Sequence, residues 1–185
     1  MFTLASVSVP LNVRPAPLLV CTTASSLEGM AFCRHALSKD FRVRALVRNT
    51  KSVRARELAT LGAEVTIADN HDIDSLIDAF DGADGVYAIT TWSGSSFTPD
   101  GRVVRSDCLD AAYLEESEVT QGANILRAAE STPSLRHFVL QSMHRAGRKP
   151  LDTSVAAPLH HRAKWRQEEA LHESSLDCAW TILRQ

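Results

Sequence analysis

No run of about 18 consecutive apolar residues occurs in the 185-residue chain, so no helix able to cross a bilayer is expected. The four cysteines, Cys21, Cys33, Cys108 and Cys178, have no C-x-x-C pairing and no regular spacing, which argues against zinc and dithiol motifs. In a chain of alternating strands and helices they read as reduced thiols of a cytosolic or nuclear protein, with Cys21 and Cys178 expected to be buried as small hydrophobes. Histidine supplies no metal set either. His35, His137 and His172 stand apart, and the adjacent His160 and His161 would point about 100° apart on a helix. A general basic field is also missing: 20 Lys plus Arg against 22 Asp plus Glu give a net charge of −2, which disfavours non-specific nucleic-acid binding.

What is present is strongly patterned. At 44% hydrophobic and 23% charged residues, the composition is that of one globular domain with a substantial core. Short apolar runs bounded by turn signals alternate with helical periodicity, the pattern of successive β-α units on a largely parallel sheet. Strands are expected at 18–22, 43–47, 64–68, 85–90, 137–141 and 179–183, and helices at 27–38, 53–61, 73–80, 119–129 and 159–173. Asp72 stands where an N-cap belongs, and Gly62 where a helix should end. Six strands in this order fit a three-layer, doubly wound α/β fold of Rossmann type.

Residues 1–17 contain no acid and a single basic residue, Arg14, and read as a loose tail before a domain at 18–185. From Trp92 to Glu118 the periodicity lapses. Gly94, Pro99 and Gly101 precede an acid-rich run of Asp107, Asp110, Glu115, Glu116 and Glu118. This insertion, 92–118, follows the fourth strand at the carboxyl edge where ligands of such sheets sit, and reads either as a lid or as a solvated excursion. From Arg136 to Arg166 there are seven Lys or Arg residues and one acid, Asp152. Charge complementarity places this segment beside the acidic one, against the plainer reading of a solvated face.

Glycine is scarce where it would be most informative. A dinucleotide-binding loop uses three glycines: one for the turn, one for backbone approach to pyrophosphate, and one for packing helix on strand. Between Thr22 and Gly29 only Gly29 remains. Thr22, Ser25 and Ser26 can still turn the chain and donate to phosphate oxygens, and the helix start presents unpaired amides, although Glu28 there would repel a close phosphate. The second strand ends at Arg48, followed by Lys51. Basic residues at this place suit a 2′-phosphate, whereas an acid would suit the ribose 2′-hydroxyl, so NADP is favoured over NAD.

Val43-Arg44-Ala45-Leu46-Val47-Arg48, followed by Gly62-Ala63-Glu64-Val65 with Asp69, Asp72 and Ser75-Leu76, resembles the NmrA-like family of atypical short-chain dehydrogenase/reductases. The resemblance extends through Thr90 and Trp92, Glu118-Val119, Gln121-Gly122 and Asn124, His137-Phe138-Val139, Lys164 with Glu168, and Thr181-Ile182-Leu183-Arg184. It implies an NADP-preferring Rossmann domain. Its contacts would fall on Thr22 to Glu28 for the pyrophosphate, Arg48 to Lys51 for the 2′-phosphate, Asp69 and Asn70 beside the adenine, and Thr90, Thr91 and Trp92 along the inner ribose. The departure is at the first of these, where a Gly-Ala-Thr-Gly type of loop would be expected.

Short-chain reductases generally carry a Tyr-x-x-x-Lys pair on the helix after the fifth strand, the lysine holding ribose and lowering the tyrosine pKa. Lys164 matches that lysine, while His160 stands in the tyrosine's place. NmrA-like proteins commonly lack the tyrosine and are regarded as cofactor-sensing regulators, so the resemblance implies a redox-sensing or regulatory binding module. An NADP-dependent oxidoreductase using Lys164 and His160 is the alternative, and a truncated pseudoenzyme that binds no nucleotide is the third reading. Family members continue beyond the segment ending at Arg184 into a C-terminal substrate subdomain, most of which is lacking here. That would leave a face open to a protein partner or to self-association. No specific nucleic acid, metal or membrane partner is expected.

Overall fold

The computed structural model of the protein describes residues 15–92, 96–97, 103–104, 111–144 and 159–185. Six strands form one parallel sheet: β1 (Leu18–Cys21), β2 (Arg42–Val47), β3 (Glu64–Ile67), β4 (Gly85–Ala88), β7 (His137–Ser142) and β8 (Ala179–Arg184). Two short pieces, β5 (Ser96–Phe97) and β6 (Val103–Val104), pair antiparallel apart from it. The helices are α1 (Leu27–Leu37), α2 (Val53–Thr60), α3 (Ile73–Phe80), α4 (Ala111–Glu130) and α5 (Leu159–Glu173). The sheet order β3-β2-β1-β4-β7-β8 is that of a doubly wound Rossmann fold.

Strand alternation sends neighbouring residues to opposite cores. Cys21, Ala45, Val47 and Tyr87 face Met30 and Cys33 of α1 and Leu58 of α2. Val20, Leu46, Val86, Phe138 and Leu140 face Leu76 and Phe80 of α3, Ile125 and Ala128 of α4, and Leu171 of α5. Asp72 caps α3 as expected, accepting from the amides of Asp74 and Ser75, and Ser26 and Ser52 cap α1 and α2 by accepting from those of Gly29 and Ala55. Gly62, just past α2, has φ +100°, the left-handed ending that glycine adopts without strain.

Two expectations need correcting. The helix expected at 119–129 begins at Ala111, because Leu114, Glu115 and Glu118 of the acid-rich run all turn inward at helical spacing. Cys178 lies one residue before β8 and is half-buried, whereas Cys21 is fully buried. Of the insertion expected at 92–118, read as a lid or a solvated excursion, residues 93–95, 98–102 and 105–110 fall outside the described residues, as do the tail's first 14. The acidic and basic segments do meet: Glu115 pairs with Arg162 at 3.4 Å and with Arg166 at 3.6 Å, Glu116 with Arg166, and Glu118 with Lys164 at 3.3 Å. Strand β8 lies at the sheet edge with Trp180 and Leu183 exposed.

Candidate functional site

The sheet order reverses between β1 and β4, where α1 departs to one face and the helices on either side of β4 pack on the other. Such a reversal opens a crevice at the carboxyl ends of the strands. The crevice is lined by Thr23 and Ser25 of the β1–α1 loop, Arg48 after β2, Asp69, Asn70 and His71 after β3, Thr91 after β4, and Tyr113, Ser117 and Gln121 of α4.

Its loop substitutes short polar side chains for glycine. Thr23 has φ +51°, a left-handed conformation costly for a β-branched residue. Its hydroxyl donates to the Ile89 carbonyl at 2.8 Å and accepts from Asn70 Nδ2 at 3.1 Å, bonds that offset the strain. Thr22 is fully buried. Its hydroxyl accepts from the Ile89 amide at 2.7 Å and donates to the Ile89 carbonyl at 2.8 Å, stitching β1 to the end of β4. Ser26 caps α1 by accepting from the Gly29 amide at 2.9 Å. A Cβ on Gly29 would lie 2.6 Å from the Thr23 oxygen and 2.7 Å from Ala24 Cα, so this helix can approach its loop only with glycine there.

Charge around the loop is arranged by tertiary contacts. Glu28 accepts a hydrogen bond from the Tyr87 hydroxyl and does not line the crevice. Burial, reinforced by that bond and by the Glu28 charge, pushes the Tyr87 phenol well up. Arg54 of α2 donates to the Ser25 carbonyl at 2.8 Å, bringing a cation against the loop. Arg48 is exposed at the crevice wall. Lys51, on the turn before α2 with its amide bonded to Asn49 Oδ1 at 2.8 Å, is not part of that wall.

Asn70 and Gln121 tie the crevice floor together. Asn70 Nδ2 reaches the Ile89 carbonyl at 3.2 Å and Gln121 Oε1 at 3.4 Å, and its own carbonyl accepts from Asn124 at 3.1 Å. Gln121 accepts from the Thr91 amide at 3.0 Å and donates to the Thr91 carbonyl at 3.0 Å.

A second, closed cluster lies beyond Thr90. Lys164, only 5% exposed, donates to Thr90 Oγ1 at 2.7 Å and Gln141 Oε1 at 2.8 Å, and stands 3.3 Å from Glu118 Oε1. The Thr90 hydroxyl donates to Glu118 Oε1 at 2.8 Å. Gln167 donates to the Glu118 carbonyl at 2.8 Å and contacts Thr90 Oγ1 at 3.3 Å. Burial lowers the Lys164 pKa, and the Glu118 charge opposes that fall. His160, one turn before Lys164, meets Trp92 edge-on with ring centroids 5.7 Å apart. His161 is lowered by burial and then by the His160 charge.

Of the residues singled out in the sequence, Ser25, Arg48, Asp69, Asn70 and Thr91 share the crevice wall, and Thr90, Lys164, Trp92 and His160 gather at its other end. Thr22, Ser26 and Gly29 shape the loop from beneath.

The sequence profile of the NmrA-like family matches residues 18–184. The chain belongs to the NmrA-like family. An NmrA-like family domain-containing oxidoreductase, hkm9 of Aspergillus hancockii, is 39% identical over 85 residues, a stretch covering 45% of this chain and 25% of that protein. Among solved structures, the negative transcriptional regulator NmrA in complex with NADP superposes with a TM-score of 0.64 at 18% identity, covering 91% of this chain and 45% of NmrA. The NADPH-dependent quinone oxidoreductase QOR2 of Escherichia coli, complexed with NADPH, gives 0.62 at 21% identity, covering 90% of this chain and 48% of that one. These likenesses establish the Rossmann fold of the NmrA-like chain. It spans about half the length of the solved proteins and a smaller share of the curated oxidoreductase.

Neither Thr23 as the strained turn residue nor Arg54 as a loop contact was legible in the sequence. Glu118 was visible as one acid in a run and as part of the Glu118-Val119 resemblance, without its lysine partner, and Gln141 only as the last residue of a strand. Their partners lie far away in the chain, as the pairs Glu118–Lys164 and Gln141–Lys164 illustrate.

Proposed function

We propose that this domain binds NADP(H) at the crevice and acts as a redox-sensing or regulatory module. The observation that carries the reading is the joint arrangement of Gly29, which lets α1 approach its loop, with Ser25 and Arg48 on one crevice wall. The α1 start and the Ser25 side of the loop would hold the pyrophosphate, with Arg54 nearby as a cation. Arg48 would take the 2′-phosphate, Asp69 and Asn70 would border the adenine, and Thr91 would flank the inner ribose. Withdrawal of Glu28 onto Tyr87 reduces the repulsion that its position in the sequence suggests.

Sensing is favoured over turnover because the Lys164 ammonium is engaged within the protein and His160 replaces the tyrosine. When bound, the nicotinamide would supply a hydride. A reductase is the second reading, supported by Lys164 and His160 standing one helical turn apart and by the oxidoreductase description of the Aspergillus relative. Parallel calorimetric titrations with NADP, NADPH and NAD test binding. Micromolar NADP affinity with weaker NAD affinity is the expected outcome, and absence of binding to folded protein overturns the reading. A panel of aldehydes and quinones with NADPH separates the two functions: steady NADPH consumption identifies a reductase, and binding without consumption a sensor.

A further inference from the structure

We infer that Glu118 is the positioning residue of Lys164, the carboxylate that keeps this lysine cationic and drawn toward the end of β4. Glu118 is 1% exposed on α4, and Lys164 is 5% exposed on α5. A buried ammonium without a counter-charge loses its proton, because desolvation penalises only the charged form. Glu118 Oε1 supplies that counter-charge at 3.3 Å and also accepts the Thr90 hydroxyl at 2.8 Å, so one oxygen fixes both the lysine and the strand end on which it rests.

A further contact holds the Glu118 main chain, and with it the base of the side chain, in place. Gln167 bonds the Glu118 carbonyl, and Gly122 makes room for Gln167, since a Cβ there would lie 2.4 Å from Gln167 Cγ. Among the described residues Glu118 Oε2 is buried without a hydrogen-bond partner, so the carboxylate is anchored through a single oxygen and through its charge. Gln141 from β7 and Thr90 from the end of β4 are uncharged. Glu28 of α1 adds a weaker field at Lys164, and His160, His161 and Glu168 lie within about one turn of it on α5.

The test reads the charge of Lys164 without nucleotide. A lysine with a lowered folded-state pKa releases its proton before the unfolded chain does. Between that pKa and the ordinary lysine value the unfolded state therefore binds more protons, and stability rises with pH. Thermal midpoints from pH 6 to 10.5 are compared for the wild type, Glu118→Gln, Lys164→Met and the double variant. Relative to the Lys164→Met baseline, the rise should begin about one pH unit or more lower in Glu118→Gln than in the wild type. It should be absent from the double variant.

An unshifted Glu118→Gln profile, or an alkaline rise persisting in the double variant, overturns the inference. Should Glu118→Gln fail to fold, a double variant as stable as Lys164→Met supports action through the lysine, and an unfolded double variant overturns it. A second arm rests on the NADP binding proposed above, with Lys164 holding the ribose as the family resemblance implies: NADP affinity in Glu118→Gln should fall about tenfold more than in the wild type between pH 7 and 9. A wild type that binds no NADP refutes that function while leaving the stability profile to decide the role of Glu118.

Discussion

The two ends of the crevice are built on opposite plans. At the loop end, polar groups line an open wall: Ser25, Arg48, Asp69 and His71 come from the ends of three adjacent strands and face a space that a ligand can enter. At the lysine end, Thr90, Glu118, Gln141, Lys164 and Gln167 are all buried and bonded to one another. The first end turns its polar groups toward the open crevice, and the second bonds its groups to one another, Glu118 Oε2 apart. Thr90 and Thr91 are consecutive residues that serve opposite ends, and Glu118 and Gln121 do the same one turn apart on α4.

The sharpest way to break this comparison is Lys164→Ala. It strands the Glu118 carboxylate in the interior, and a loss of about 3–5 kcal/mol is expected by urea unfolding, the range for removing one member of a buried ion pair. Gly29→Ala attacks the other end. Its Cβ would meet backbone atoms that cannot rotate away, so a cost of about 1–3 kcal/mol is expected, together with weaker NADP binding by calorimetry.

Arg48→Glu should leave stability within about 0.5 kcal/mol. It should reduce the NADP-over-NAD preference by about tenfold or more, the loss expected for a charge-assisted phosphate bond. The smallest net effect is expected from Gly122→Ala. Helix propensity contributes about 1 kcal/mol in its favour, while displacement of Gln167 removes a hydrogen bond of similar worth. An unfolding free energy from urea titration within about 1 kcal/mol of the wild type would agree, and a larger loss would mean that Gln167 has no alternative position.

Much of the fold was legible because its signals are local. The expected strands at 43–47 and 85–90 are observed as Arg42–Val47 and Gly85–Ala88, and the α3 bounds coincide because Asp72 caps a clear amphipathic run. Helix α4 was read too short because acids suggest exposure when their basic partners, Arg162, Lys164 and Arg166, stand more than 40 residues away. The loop end was legible in part: Arg48, Asp69 and Ser25 sit at predictable strand ends. Thr23 was not, since a left-handed threonine is tolerated only through its bonds to Ile89 and Asn70.

The sequence by itself determined the β-α alternation, the helix caps, the chemistry available at each strand end and the family. Each depends on spacing within a few residues. Only the tertiary structure decided that Glu28 turns to Tyr87, that Arg54 reaches the loop, and that Glu118 and Lys164 share one buried cluster. Whether a charged side chain meets water or a partner depends on what packs against it, and those partners are set by the sheet order and the helix faces.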